Sequence, residues 1–546
     1  MQMKSLIFGN APRRNIYSKK PGSDLGRLTG SRLRALSGWG VRVCCAGVAL
    51  AGLEIAGADS GAQGREITLE QAIQMALESN LNVQIQRFEP MISQFNLTSS
   101  LANYYEPQLG FNVFHSFRSQ PGGVDEFGRD VGNREVETDS FGGQPFIRGN
   151  APSGLNYSVQ ASTSGTSSSN PGFQTSDVYS GDWRIQVTQP LLRDAWTDSG
   201  RVNIKVNKKL LKISELGLMN QIMATVSRVE QAYYNLIAAR ENVTVVETAL
   251  ELAERTLTQN RKKVEVGTLA MLDEKEAESQ VATSKADLIS AQRNLAVQEN
   301  VLKGLLTDDF AALQSTDLVP AEKLIAVPVT LDLQESWRLG LSQRPDLQQA
   351  KLDLERMNIT LKYQKNQVLP QLDLVGSYGQ SGFAGGGGPF APTPSYSRAF
   401  SSLGENDNPS YTIGTTLSVP LGNFGPRARH KAAQAQNKQT ILQLKQLEQE
   451  IMIQIDDAVK RTQASFDRIE ATRQARLFAE AAWKAEQQKL DNGKSTSFLV
   501  LQFQQRLTAA RFSEISALAE YNIALSQLAV SEGTTLEKHR LNVNFE

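Results

Sequence analysis

The chain carries three histidines, His115, His430 and His539, scattered over 546 residues with no cysteine or acid at metal-ligand spacing. No metal site is expected from them. Asn492-Gly493-Lys494-Ser495 contains the Gly-Lys-Ser of a phosphate loop. That loop also needs a glycine five residues before its second glycine, and Gln488 stands there. The paired acids Asp308-Asp309 and Asp456-Asp457 read as solvated helix-end or helix-face charges. Cys44 and Cys45 are the only cysteines, so a mature chain lacking that segment would have no disulfide and no thiolate nucleophile. No catalytic residue and no cofactor is expected, and the sequence does not read as an enzyme. What stands out instead is a pair of glycine-centred reversals, Val266-Gly267-Thr268-Leu269 and Asn492-Gly493-Lys494-Ser495. Glycine suits a tight reversal because it adopts positive φ without penalty.

The elements on either side of these reversals are very long. No proline occurs between Pro190 and Pro320, so nothing obliges a helix there to break. Ile222, Val226, Val229, Tyr233 and Leu236 step by four and three. Past the turn, Val281, Leu288, Leu295 and Leu302 step by seven, and both are coiled-coil spacings. The spacing predicts a helical hairpin over 201–306. Its first arm would be about 100 Å long at 1.5 Å per residue. A second hairpin is expected over 427–530.

The chain repeats itself. Thr330-Leu331 echoes Thr68-Leu69, and Leu369-Pro370-Gln371-Leu372 echoes Glu106-Pro107-Gln108-Leu109. Val419-Pro420-Leu421 echoes Gln189-Pro190-Leu191, and the two glycine reversals complete the set. Leu69 to Pro107 spans 38 residues and Leu331 to Pro370 spans 39; Pro190 to Gly267 spans 77 and Pro420 to Gly493 spans 73. Only Pro107 to Pro190, at 83, exceeds its partner Pro370 to Pro420, at 50. The excess fits a surface loop tolerant of insertion. The expected organisation is a signal peptide over 1–58, a first repeat over 59–306, a linker over 307–329, a second repeat over 330–532 and a tail over 533–546.

The signal reading rests on a basic start, the apolar run Val43 to Leu53, and Ala56-Gly57-Ala58 as an A-x-A site. Residues 1–58 hold nine Lys/Arg and two Asp/Glu, which leaves 48 basic and 55 acidic residues for 59–546. The body is mildly acidic and has no basic stripe for nucleic acid.

Strand-like alternation appears in four places: Leu109 to Ser119, Tyr179 to Gln189, Gln371 to Gln380 and Ser410 to Val419. Each is about ten residues, the length a tilted strand needs to cross a bilayer. Residues 118–182, rich in Gly, Ser, Asn and Pro, read as a polar loop with one further alternating run at Leu155, Tyr157, Val159 and Ala161. Aromatics gather at the strand ends, as in membrane-interface girdles. Four strands cannot close a barrel, and lipid tolerates no open edge, so copies of the chain must close it together.

These residues together resemble the TolC-like outer-membrane factors. The carriers are Ile67-Thr68-Leu69 with Ala72, Ala76, Leu77 and Asn80, then Pro107-Gln108-Leu109, Gln189-Pro190-Leu191-Leu192, Val266-Gly267-Thr268 and Gly493-Lys494-Ser495. The resemblance covers about residues 66–532. It implies a mainly α fold with a β-barrel portion. In it, long antiparallel helical hairpins form an α-barrel, and four strands per chain build a trimeric twelve-stranded outer-membrane barrel. It implies a passive exit duct of a tripartite efflux pump or type I secretion system. The expected partners are two further copies of the chain, a periplasmic adaptor (membrane fusion) protein, an inner-membrane transporter and outer-membrane lipid.

The resemblance also assigns roles. Val266, Gly267, Thr268, Leu269, Asn492, Gly493, Lys494 and Ser495 become adaptor-docking tips. Asp273 falls where members carry a polar gating residue. Leu499 and Gln502 stand where some members carry pore-facing aspartates, and Ser495 where some carry a bridging arginine. Gate closure here would rest more on apolar packing by Leu499, with weaker cation preference. The alternative is a periplasmic coiled-coil adaptor or scaffold, which would normally have one hairpin rather than two.

Overall fold

The computed structural model describes residues 65–121, 135–169, 176–386, 393–404 and 408–541. The expected signal segment lies outside the described residues. The first half runs β1 (Arg65–Ile67), α1 (Leu69–Ser79), α2 (Leu81–Tyr105), β2 (Gln108–Pro121), β3 (Glu135–Asn150), β4 (Asn156–Ser169), β5 (Ser176–Pro190), α3 (Ser199–Glu265) and α4 (Met271–Leu306). A connecting stretch holds α5 (Phe310–Leu313) and β6 (Leu318–Pro320). The second half runs α6 (Leu333–Gln343), α7 (Pro345–Asn366), β7 (Gln371–Gly385), α8 (Tyr396–Gly404), β8 (Pro409–Ser418), α9 (Phe424–Asp491), α10 (Ser497–Glu532) and α11 (Thr535–Lys538).

The helices of the two halves match, while the strand pair β3–β4 occurs only in the first and α8 only in the second. Helices α3 and α9 hold 67 and 68 residues, α4 and α10 hold 36 each, and α1 and α6 hold 11 each. Local chemistry sets the starts. Thr68 forms a capping box with Gln71, its Oγ1 accepting from Gln71 N at 3.3 Å while Gln71 Oε1 accepts from Thr68 N at 3.1 Å. Asn80 caps α2 through Asn82 N at 3.0 Å and donates from Nδ2 to the Leu305 carbonyl at 3.0 Å. Pro90 lies inside α2 without ending it.

Helix α3 is the spine. Helices α2 and α4 pack along one flank, above and below; α7 and α10 pack along the other, with α9 beyond them. Above and below the mid-height band where α1 and α6 pack on the long helices, a cross-section of the described helical body therefore holds four helices. The α3 stripe anticipated from heptad spacing is the core: Ile222, Val226, Val229, Tyr233 and Leu236 are all nearly solvent-free. They pack on Ala72, Ile73, Ala76 and Leu77 of α1 and on Leu302 and Leu306 of α4. On α4 the buried stripe is Ala277, Val281, Ser284 and Ala291, with Leu288 and Leu295 only half-buried. A second core joins Leu347 of α7 with Ile451, Ile455 and Val459 of α9 and Leu528 of α10.

The connecting stretch girdles the helices at mid-height. Strand β6 pairs in parallel with β1, Arg65 facing Leu318. Tyr233 Oη donates to the Ile67 carbonyl at 2.9 Å and to Glu322, whose carboxylate also accepts from Leu69 N at 3.1 Å. Tyr521 Oη donates to the Val327 carbonyl at 2.5 Å.

The large sheet corrects the expectation of four strands per chain. Among the described residues it has six strands in the order β2-β3-β4-β5-β7-β8, all neighbours antiparallel. Most of what read as a polar loop between 118 and 182 is the end of β2, the hairpin β3–β4 and the start of β5. Its Ser, Thr and Gly residues lack the hydropathy contrast that marks a half-buried strand. The β3–β4 turn, Ala151 to Leu155, lies at the helix end of the sheet and uses Gly154 at φ +87°.

The sheet has one apolar and one polar face. Register places Leu109, Ile147, Val159, Ile185, Tyr378 and Tyr411 on one face, with Phe111, Val113, Phe141, Trp183, Leu374 and Ile413 beside them. The opposite face carries Asn112, Gln144, Gln160, Ser164, Ser180, Gln186 and Thr412. Helix α8 lies on the apolar face at the end away from the long helices. It packs over Gly165, Gly181 and Gly382, and a Cβ on Gly382 would collide with the Ala399 carbonyl.

Sheet and helices meet at a polar junction. Tyr104 Oη donates to Asp198 Oδ2 at 3.0 Å, and Asp198 Oδ1 caps α3 at Arg201 N, 2.9 Å away. Arg201 Nη2 donates to the carbonyls of Asp194 (3.0 Å) and Ala195 (2.8 Å). Burial, reinforced by the Asp198 charge, pushes the Tyr104 hydroxyl up to about 12. For Asp198, burial works upward, but the hydrogen bonds and charge of Arg201 hold the carboxyl below its ordinary value.

Candidate docking and gating site

The long hairpins reverse at two turns of one construction. At the first, Gly267 has φ +75°, Gly267 N donates to Val264 O at 2.9 Å and Thr268 N to Lys263 O at 2.8 Å. At the second, Gly493 has φ +71°, Gly493 N donates to Leu490 O at 3.0 Å and Lys494 N to Lys489 O at 2.8 Å. Both are helix C-caps in the left-handed region, where glycine avoids the Cβ penalty. Among the described residues nothing lies within 4 Å of a Cβ built on either glycine. Backbone strain, not crowding, selects glycine at both.

Val266, Gly267, Thr268, Asn492, Gly493 and Lys494 are exposed, while Leu269 and Ser495 are half-buried. The tips touch each other. Asn260 near the end of α3 donates from Nδ2 to the Asp273 carbonyl at 3.3 Å, and Ser497 Oγ donates to Asn260 Oδ1 at 3.4 Å. Gln504 Nε2 donates to the Ala249 carbonyl at 3.0 Å, holding α10 against α3. Asn260, Ser497 and Gln504 are buried, and sequence reasoning missed all three. Their partners lie 13 to 255 residues away, so no local pattern marks them.

The second turn is braced by Glu486, which accepts from Lys489 Nζ at 2.9 Å and from Ser495 Oγ. The Lys489 bond, then the Ser495 bond, holds this carboxyl below its usual range. The first turn carries an exposed ion cluster instead. Arg261 meets Glu274 at 3.2 Å and Glu278 at 2.8 Å, and Lys275 meets Glu278 at 2.7 Å. Hydrogen bonds from Lys275 and then Arg261 lower the Glu278 carboxyl.

The gating candidates fall on the first turns of the returning helices. Asp273 of α4 and Leu499 of α10 each sit six residues past their glycine, so they occupy equivalent places; both are partly exposed. Gln502 lies one turn further along α10 and is half-buried. Leu272 and Phe498, again equivalent, expose 69% and 55% of their surface, and Val266 and Met271 expose 72% and 70%. Sequence reading placed only Val266 of these four at a tip. Above the tips, a groove of about 530 Å³ between α3, α4 and α10 is lined by Asn242, Gln280, Ser284, Gln505 and Phe512. Gln505 Nε2 bridges it to Gln280 Oε1 at 2.7 Å.

Comparison with known proteins speaks to the family and the fold. The family model described as outer membrane efflux protein matches residues 152–307 and 338–534. The chain is 25% identical over 320 residues to the outer membrane protein TolC of Vibrio cholerae, covering 58% of this chain and 69% of that one. Its fold is similar to the solved outer-membrane channel OprN, with a TM-score of 0.63 and 16% identity over 85% of this chain and 90% of that one. It is likewise similar to the Campylobacter jejuni CmeC outer membrane channel, with a TM-score of 0.60 and 15% identity over 86% of each.

Proposed function

Because the chain belongs to the outer membrane efflux protein family, we propose that it is the outer-membrane exit duct of a tripartite efflux pump or type I secretion system. It is a passive conduit, with energy supplied by an inner-membrane transporter. The observation that carries this reading is the pairing of two features in one chain. A two-faced sheet, apolar on one side and polar on the other, suits a barrel wall. From it hang helices of 67 and 68 residues, about 100 Å long. A soluble adaptor would have no use for a sheet face with Leu109, Phe111, Tyr411 and Ile413 more than half exposed.

Three copies would close the wall in the outer membrane, and their helices would form one periplasmic cylinder. The duct reads as two units, 59–306 and 330–532, joined by 307–329. Val266 to Leu269 and Asn492 to Ser495 would meet a periplasmic adaptor, aided by the exposed apolar side chains of Leu272, Met271 and Phe498. Asp273, Leu499 and Gln502 would line the closing end. With Asp273 on one hairpin and Leu499 in the equivalent place on the other, closure would combine a half-acidic ring with apolar packing.

Photocrosslinkers at Thr268 and Lys494 test the docking role. Adducts with a periplasmic adaptor are expected at both tips and not from Thr244, about 30 Å up α3 from the turn. Equal capture from all three positions would overturn the assignment.

A further inference from the structure

We infer that the hairpin β3–β4 is part of the membrane wall, so that three chains close a barrel of eighteen strands rather than twelve. This rests on the outer-membrane duct reading and adds to it. The pairing runs the length of both strands, interrupted between β3 and β4 only at Gln144 and Pro145, with twelve paired positions between β3 and β4 and thirteen between β4 and β5. The hairpin is thus inside the sheet, not laid across it.

The two-faced pattern also carries through the added strands, with Phe146 on the polar face as its exception. Phe141 and Ile147 of β3 and Val159 of β4 share the apolar face with Val113, Leu109 and Ile185, and each exposes 40% or more of its surface. Gln144, Gln160, Ser162 and Ser164 share the other face with Asn112 and Ser180. An extracellular or periplasmic flap would have no reason to keep this alternation in phase with its neighbours over both strands. On the apolar face Glu137, Asp139 and Asp177 lie beyond this band, toward the end away from the helices, and His115 at its margin pairs with Asp139 at 2.6 Å.

Ring sizes agree. Four helices per chain give twelve in the cylinder, a circumference of about 100–120 Å at interaxial spacings of roughly 8–10 Å. Eighteen strands spaced about 4.8 Å apart and tilted about 40° give about 110 Å, whereas twelve give about 75 Å. The wider barrel seats on the helices without a taper. Its lumen, lined mainly by Ser, Thr and Gln with Phe114 and Phe146 among them, is then as wide as the helical duct, and the barrel is no size filter for cargo that has passed the tips. The unpaired edges β2 and β8 take a second copy of this chain, β8 of one against β2 of the next.

Site-directed spin labelling of the trimer in lipid vesicles tests this, with Cys44 and Cys45 replaced by serine. Labels go on Phe141→Cys and Val159→Cys, on Gln144→Cys and Ser164→Cys, and on the controls Leu374→Cys and Ile413→Cys. Ile147→Cys and Ala161→Cys replace either apolar-face variant that fails to assemble. Positions 141 and 159 should match 374 and 413, accessible to oxygen and about tenfold less accessible than 144 and 164 to a water-soluble nickel relaxant. Aqueous accessibility at 141 and 159 with 374 and 413 in lipid would overturn the eighteen-strand wall alone. Aqueous accessibility at all four would overturn the outer-membrane reading as well.

Discussion

Glu230 is a carboxylate with no solvent exposure at the seam between the two hairpins, and its removal is the sharpest stability test. From α3 it accepts from Ser526 Oγ on α10, pairs with Lys538 Nζ at 2.9 Å and lies 3.0 Å from His539 Nε2. Ser227 and Ser526 hydroxyls add a further link at 3.0 Å. Burial alone would raise its pKa. The His539 bond, the Lys538 charge and the Ser526 bond outweigh that and set it at about 2, against an ordinary 4.5. At about 1.4 kcal/mol per pKa unit the ionised form is worth about 3 kcal/mol. Because the folded pKa is depressed, that stability is present above about pH 4.5 and is lost as pH falls toward 2. Glu230→Gln keeps the volume and removes the charge. In thermal unfolding of the detergent-solubilised protein, the variant should be about 3 kcal/mol less stable at pH 7, with the deficit shrinking progressively below pH 4.5. An undiminished deficit at pH 2.5 would refute the electrostatic account and leave only packing.

Gly267→Ala and Gly493→Ala should each cost about 1 kcal/mol locally, because the strain is at φ and no neighbour is struck; hydrogen exchange confined to the tip amides checks this. Asp198→Ala removes the α3 cap and the Tyr104 partner together, and about 1–2 kcal/mol should be lost in thermal unfolding. Gly382→Ala should lift α8 from the sheet without opening the barrel, seen as new protease cleavage within 396–404 in an otherwise intact trimer. Planar-bilayer conductance of the native chain should resist block by trivalent cations, and Leu499→Asp should make it more sensitive.

The sequence revealed the parts whose causes are local. The α3 stripe from Ile222 to Leu236 and both glycine turns follow from residue type and spacing over a few positions. The halves could be aligned because their landmark prolines and glycines serve backbone geometry, which drift in side chains leaves intact. Of strands β3 and β4 only the run from Leu155 to Ala161 was legible, because Ser, Thr and Gly on the polar face and glycine on the apolar face blur a period of two elsewhere. The insertion that read as loop length is a strand pair. Nor could the sequence indicate Asn260, Ser497, Gln504 or Glu230, whose roles exist only after distant helices meet.

Whether this chain is an outer-membrane duct is decided most directly by where it is found and in what form. Density-gradient separation of the envelope, followed by gel analysis before and after heating, is the measurement. The account predicts recovery with the outer membrane as a heat-modifiable trimer. Recovery in the soluble periplasmic fraction, running as a monomer before and after heating, would contradict it.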